Sequence, residues 1–353
     1  MRLALGVSVL VGVGLSAEIR AGRGELRLSV EAWAKAIVVE QDATRVAIIA
    51  VDSGELDSST VAAVRSAVEA ATSIPAGNVV MCSTRSGGSR ANPAKLAEAA
   101  RLAATAAVPA RISLGAGREE SISFARRYLM KDGSVRTDPG RLNPDIVQPA
   151  VEIDPQVRVL QFETMAGQPI AWLVNFALGA DSGAHPATLA KHLSRLQQGS
   201  GLMTLYTVGA SANLSPVNVK SREPVSGLRI GTILAAEAMK AWARAAPIES
   251  PKLKVLRDGE VQVVAFDSNT AIAVLPGDLF VELGTAIKHA SPFPETIIVT
   301  LANSCSGTIP TRKGFQEGGL DRARLTIEPG GGERLAETAL KLLSAARREM
   351  SGR

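Results

Sequence analysis

Strand-like apolar runs alternate with alanine-rich helical patterns along this chain, and that alternation leaves few architectures open. Residues 36–40 and 45–52 read as paired buried strands around a turn at 41–44. A helix is expected next, capped by Asp57 or Ser58, with Val61, Val64 and Val68 along its apolar side. Residues 74–77 end it, and a strand from Asn78 runs through Cys82 into the small-residue turn Ser83, Thr84, Arg85, Ser86, Gly87, Gly88. Strand, helix and strand in this order imply a right-handed crossover. The turn after the second strand is where α/β enzymes usually keep their chemistry.

The pattern continues. A second helix is expected over 93–107, and a long polar segment over 115–157 contains a turn at 131–134 and several prolines. An ordered excursion of that length commonly covers or lines a site. Strands are expected at 159–163 and 170–176, joined by a hairpin at 165–168, and again before Gly209. A helix over 227–244, strands at 261–266, 271–275 and 296–301, and a last amphipathic helix after Gly332 complete the reading. The expected class is α/β, a mixed β-sheet core with flanking helices, with residues 18–353 forming a single domain.

Residues 1–17 carry Arg2, an apolar run and a small-residue end. They read equally as a short signal peptide, which would export the protein to a periplasmic or extracellular location, or as the first strand of a cytoplasmic one. The run is too short for a transmembrane helix.

Aromatics make up only 3% of the 353 residues, so alanine, valine and leucine must fill the core and few platforms remain for stacking nucleic-acid bases. The formal net charge is +5, but Lys and Arg are scattered, and no nucleic-acid partner is expected. Two cysteines, Cys82 and Cys305, and three histidines, His185, His192 and His289, form neither a CxxC nor an HExxH pattern.

Several segments, taken in order, resemble the neutral/alkaline ceramidase family. The 78–88 strand and turn is similar to that family's Asn-Val followed by Thr-His-Thr-His-Ser-Gly-Pro. Residues 123–133 resemble its Phe-Asn-Arg-Arg to Lys-Asp-Gly segment, and 174–181 its Asn-Phe-Ala strand. Residues 209–216 resemble its Gly-Ala-x-Gly-Asp-x-x-Pro loop, 275–280 its Pro-Gly-Glu-Phe, and 301–311 its Asn-x-x-x-Gly-Tyr-x-Pro-Thr. The resemblance implies the fold of the ceramidase N-terminal catalytic domain without the family's C-terminal Ig-like domain.

The resemblance also implies where a zinc site would lie, and this sequence departs from the family there. The two histidine positions of the turn hold Ser83 and Arg85, a later one Gly179, the carboxylate position Asp278, and the tyrosine position Thr308 or Leu320. Only Asp278 is a zinc donor. No metal or other cofactor is therefore expected. Asp181 and His185 are the nearest alternative ligands, but His185 precedes Pro186 and is expected in a surface turn.

Ser215 matches the position of the family's proposed nucleophile and is the catalytic candidate. Arg85, Arg126, Ser83 and Asp278 are the substrate-binding candidates. Arg85 either pairs with Asp278 or Asp52 in place of the metal, or cradles an anion with the amides of Ser86 to Gly88.

Three functional readings follow. The first is a ceramidase-like protein that has lost zinc-dependent amidase chemistry, a pseudoenzyme or binding protein for a small or lipid-like ligand. The second is an amide or ester hydrolase acting on an N-acyl lipid-like substrate through Ser215. The third is a small-anion binder centred on Arg85.

Overall fold

The computed structural model describes residues 18–29, 32–86, 91–180, 184–197, 201–304 and 307–351. Both readings of residues 1–17, and the expectations on Gly87, Gly88, Asp181 and Cys305, lie outside them.

The chain opens with β1 (Arg20–Arg27), β2 (Trp33–Gln41), β3 (Thr44–Val51), α1 (Ser58–Thr72), β4 (Val79–Ser83), α2 (Pro93–Thr105) and β5 (Val108–Arg118). Asp57 caps α1 by accepting from the Thr60 N–H, and Asn92 caps α2 by accepting from the Lys95 N–H. Short strands follow: β6 (Phe124–Ala125), β7 (Arg127–Met130), β8 (Val135–Thr137) and β9 (Ile146–Pro149). Then come β10 (Gln156–Thr164), β11 (Pro169–Phe176), α3 (Ala184–Leu196), β12 (Met203–Val208), β13 (Leu214–Ser215), α4 (Gly227–Ala243) and β14 (Ala246–Pro247). The last part holds β15 (Lys254–Asp258), β16 (Val261–Ala265), β17 (Thr270–Val274), β18 (Asp278–Leu279), α5 (Val281–Ala290), β19 (Glu295–Val299), β20 (Thr308–Ile309), α6 (Arg312–Glu317) and α7 (Gly331–Met350).

Among the described residues the main sheet has nine strands, in the order β12-β11-β10-β5-β1-β2-β3-β4, with β14 pairing on β5. It is mixed: β3/β4 and β11/β12 are parallel, while the pairs between them are antiparallel. The sheet curls until β12 touches β2, β3 and β4. Across that closure the Lys35 ammonium donates to the Thr204 carbonyl at 2.9 Å.

The inner face packs on a second sheet, β15-β16-β17-β19, through Ile37, Ile48, Leu160, Phe162, Phe266 and Ile297. Helices α1 and α2 cover the outer face at β1 to β4, and α3 and α4 cover it at β10 to β12. Helices α5 and α7 cover the far face of the second sheet. Strands β3, β4, β11, β12, β16 and β17 are thus buried on both sides, which is why these segments read as continuous apolar runs.

Two expectations need correcting. The polar excursion does not begin at 115, because β5 extends to Arg118 and pairs with β10 from Thr164 to Gln156. His185 is not a surface turn residue. It lies in the first turn of α3 and is 2% exposed. Pro186 is compatible with that place, since the N–H it lacks has no intrahelical acceptor in a first turn.

Candidate functional site

Loops leaving the C-terminal ends of β4, β11, β12, β17 and β19 converge on one point, and backbone hydrogen bonds tie them together. Ala180 N donates to Thr84 O, Ser83 N to Leu301 O, Gly209 N to Phe176 O, and Leu301 N to Gly277 O. This is the end of a parallel pair at which α/β sheets place their sites. Arg85, Leu301 and Asn303 take positive φ values of 61°, 52° and 58° here. Non-glycine residues held in this region concentrate where function or a specific contact requires them.

Arg85 sits at the centre. Its backbone N–H donates to the Ser83 Oγ at 3.0 Å, and its guanidinium forms an ion pair with Asp278. The two side chains are 10% and 1% exposed. The guanidinium lies flush against Gly179: a Cβ added there would stand 2.6 Å from Nη2 and 2.8 Å from Cζ. Residue 179 can carry a side chain only if Arg85 moves. Asp278 reaches the pair from the short parallel pairing of β18 with β20, just after Gly277 at a φ of 77°.

Ser83 serves the backbone. Its hydroxyl lies 2.9 Å from the Ser53 carbonyl and 2.6 Å from that of Gly54, and it is 1% exposed. Beside it, the Thr84 hydroxyl donates to Asp52 at 3.2 Å and lies 2.9 Å from the Ser86 hydroxyl. Burial raises the Asp52 pKa against the opposing pull of Lys35, and burial lowers the Lys35 pKa against the pull of Asp52. Behind the turn, Cys82 is a free thiol that burial pushes up to about 12.

Two further side chains hold the floor. Tyr206 donates its hydroxyl to the Leu178 carbonyl at 2.6 Å, and burial raises its pKa. The His185 ring stands edge-on to it at 5.0 Å, and burial lowers that imidazole to about 3, so it is neutral at physiological pH. Asn213 accepts from the Val281 N–H at 2.9 Å and donates to Glu282 at 2.7 Å, which fixes the loop after β12 to α5.

In front of Asp278 lies a small cavity of about 100 Å³ that also meets Arg126, Arg127, Thr308, Leu320 and Arg324. Arg127 is 1% exposed, pairs with Glu317 at 3.0 Å and lies over the Phe280 ring at 5.4 Å. A second cavity of about 430 Å³ shares Arg126 and Arg324 with the first and is also lined by Tyr128, Asp138, Arg141 and Ser215. Of the residues singled out in the sequence, Asp278, Arg126 and Ser215 thus surround adjoining cavities. Arg85 grips Asp278 without lining either one, and Ser83 faces away.

The Ser215 Oγ accepts from the Val217 N–H at 3.3 Å. Arg126 is bound to Asp138 by both Nε and Nη2. Arg324 was not singled out in the sequence. It meets Glu55 at 3.1 Å across 269 positions, and no local signal marks such a pairing. Among the described residues, no three His, Cys, Asp or Glu side chains are grouped to hold a metal ion.

No family model and no curated protein matches the chain. Solved structures do. A neutral ceramidase from Pseudomonas aeruginosa superposes with a TM-score of 0.72 at 14% identity, covering 95% of this chain and 75% of that one. A ceramidase complexed with C2 gives 0.74 at 14% identity, covering 95% of this chain and 76% of that one. At that identity the likeness is one of fold: over nearly its whole length, this chain has the α/β fold of the ceramidases.

Proposed function

We propose that this chain uses a ceramidase-like frame to bind a small molecule and does not run zinc-dependent amide hydrolysis. The observation that carries this reading is the Arg85–Asp278 pair pressed against Gly179. By resemblance, Ser83, Arg85 and Gly179 stand where zinc-site histidines would, and none of the three is a zinc donor. Asp278 alone could ligate, and it is engaged by a permanent cation. A dication beside that guanidinium, away from water, would meet strong repulsion. The residues present do not fit zinc, and no chemical step is derived through it.

The serine-centred alternative finds less support. An unactivated serine is a weak nucleophile and needs a base within hydrogen-bond reach. Among the described residues no base contacts the Ser215 Oγ. Two of the three histidines are engaged elsewhere, His185 against Tyr206 and His192 at 3.2 Å from the Thr232 hydroxyl.

The test is elemental analysis of the purified protein after dialysis against trace zinc, in parallel with hydrolysis of a fatty N-acyl amide. We expect zinc far below one ion per chain and no turnover above the buffer rate. Stoichiometric zinc with turnover would overturn the reading, and so would zinc-free turnover abolished by Ser215→Ala.

A further inference from the structure

Three arginines from two distant parts of the chain line the cavity of about 100 Å³ in front of Asp278. Arg126 and Arg127 come from the junction of β6 and β7, and Arg324 from the segment between α6 and α7. Like charges gathered around one space repel one another unless anions answer them.

Arg127 is the fixed member. Its side chain is 1% exposed, its Nη2 meets Glu317 at 3.0 Å, and its guanidinium lies 5.4 Å from the centre of the Phe280 ring. Nη1 reaches the Gly314 carbonyl only at 3.5 Å, and Nε has no hydrogen-bond partner among the described residues. A charged N–H withdrawn from water without an acceptor is costly, and it marks a place that an ion or a water completes.

Arg126 and Arg324 are the adjustable members. They pair with Asp138 and Glu55, and both pairs are open to solvent, 31% and 53% exposed in the first and 42% and 39% in the second. Ion pairs of that exposure contribute little, so an incoming anion can draw either arginine from its partner at small cost. The carboxylates of the wall itself are committed elsewhere, Asp278 to Arg85 and Asp321 to the Ala323 N–H at 3.1 Å. Arg85 lines neither cavity and takes no part in this site.

Size and charge narrow the ligand. A cavity this small is far below the volume of an ordinary ligand pocket but has room for one small polyatomic ion. A carboxylate offers two oxygens in one plane and a single charge. A phosphate group offers at least three oxygens and close to two charges at neutral pH, which suits arginines reaching in from separate chain segments.

We propose that this cavity binds a phosphate group, either the free ion or the end of a small polar phosphomonoester. Arg127 supplies the fixed donor, and Arg126 and Arg324 turn to the phosphate from Asp138 and Glu55. The body of a monoester extends into the adjoining cavity of about 430 Å³, past Arg141 and Ser215. The proposal rests on the reading of this region as a binding site and deepens it by naming the ligand class.

The experiment is titration calorimetry of the intact protein with inorganic phosphate, glycerol 3-phosphate and acetate. The buffer is phosphate-free and contains a chelator, so that bound phosphate cannot be a ligand of stray metal. We expect one phosphate per chain with a Kd below about 1 mM, and acetate about tenfold weaker or worse, the worth of one charge-assisted contact. Arg126→Gln and Arg324→Gln should each lower phosphate affinity about tenfold. Both lie at exposed ion pairs, so the loss is one of binding and not of folding. Arg244→Gln, at the exposed residue that follows α4, should leave the affinity unchanged and excludes a diffuse effect of charge. Tighter binding of glycerol 3-phosphate than of phosphate identifies a monoester as the occupant, and equal or weaker binding identifies the free ion.

No saturable binding of phosphate, acetate binding as tightly as phosphate, or an affinity untouched by both Arg126→Gln and Arg324→Gln would each overturn the proposal. So would an equal loss in Arg244→Gln. Failure of the underlying reading looks different. Zinc-dependent cleavage of a fatty N-acyl amide would sink the metal-free reading whatever the phosphate titration gives.

Discussion

The Arg85–Asp278 centre and the 138–142 rim both place an arginine beside a carboxylate, yet the two regions are built in opposite ways. At the centre the partners are 10% and 1% exposed, the turn carrying Arg85 is tied to loops from three directions, and a glycine gives up its side-chain space to the guanidinium. At the rim, Arg126 and Asp138 are 31% and 53% exposed, and a neighbouring leucine is held in the left-handed region facing solvent. A buried pair is a fixed part of the fold, because removing one partner strands the other charge. An exposed pair next to a strained apolar side chain is adaptable. The lesson is that the same residue pair is locked where burial and a missing side chain hold it, and loosely held where solvent reaches it.

The largest effect should come from breaking the centre. Arg85→Leu leaves Asp278 buried without its cation and should cost about 3–5 kcal/mol in urea unfolding. Arg85→Leu combined with Asp278→Leu should recover a large part of that loss, because no charge is then stranded. A single variant as stable as the parent would mean that water reaches Asp278, and the contrast with the rim would collapse.

The next effect is sharper in sign than in size. Gly179→Ala pushes a Cβ into the guanidinium and should destabilise the parent by about 1–3 kcal/mol. In the Arg85→Leu background the same change should be close to neutral, because the flat cation that required the glycine has gone. A double-mutant cycle reads this coupling directly. Additive losses would show that Gly179 is kept for a reason other than Arg85.

Much of the frame was legible in the sequence, because double burial writes apolar runs that need no partner to be recognised. The strands at 36–40, 45–52, 170–176 and 271–275 and the helices at 93–107 and 227–244 all have observed counterparts. β1 was not legible. Gly22 and Gly24 stand where a Cβ would lie 2.1 Å from the Ala103 and Ala99 carbonyls, so close approach of α2 has replaced the apolar alternation that marks a strand. At the site, the family resemblance singled out Arg85, Arg126, Ser215 and Asp278 but not their connections. The sequence left Arg85 pairing with Asp278 or Asp52, 193 and 33 positions away, and only the folded loops decide for Asp278. The rim was less legible still: Asp138-Pro139-Gly140 signals a turn, but nothing in it announces that Leu142 will face outward.

The smallest expected effect tests the rim as a structural element. Arg126→Ala removes an ion pair that is bidentate but solvent-exposed, and such pairs contribute about 0–1 kcal/mol. Its backbone N–H still donates to the Asn213 carbonyl, so β6 keeps its anchor to the loop after β12. The urea midpoint should therefore shift little, and added salt should narrow the difference between variant and parent because it already screens the exposed pair. A loss approaching that of Arg85→Leu would mean that Asp138 is stranded when its cation goes. The strained turn would then be held by charge, and the distinction between a fixed centre and an adaptable rim would fail where it was expected to be clearest.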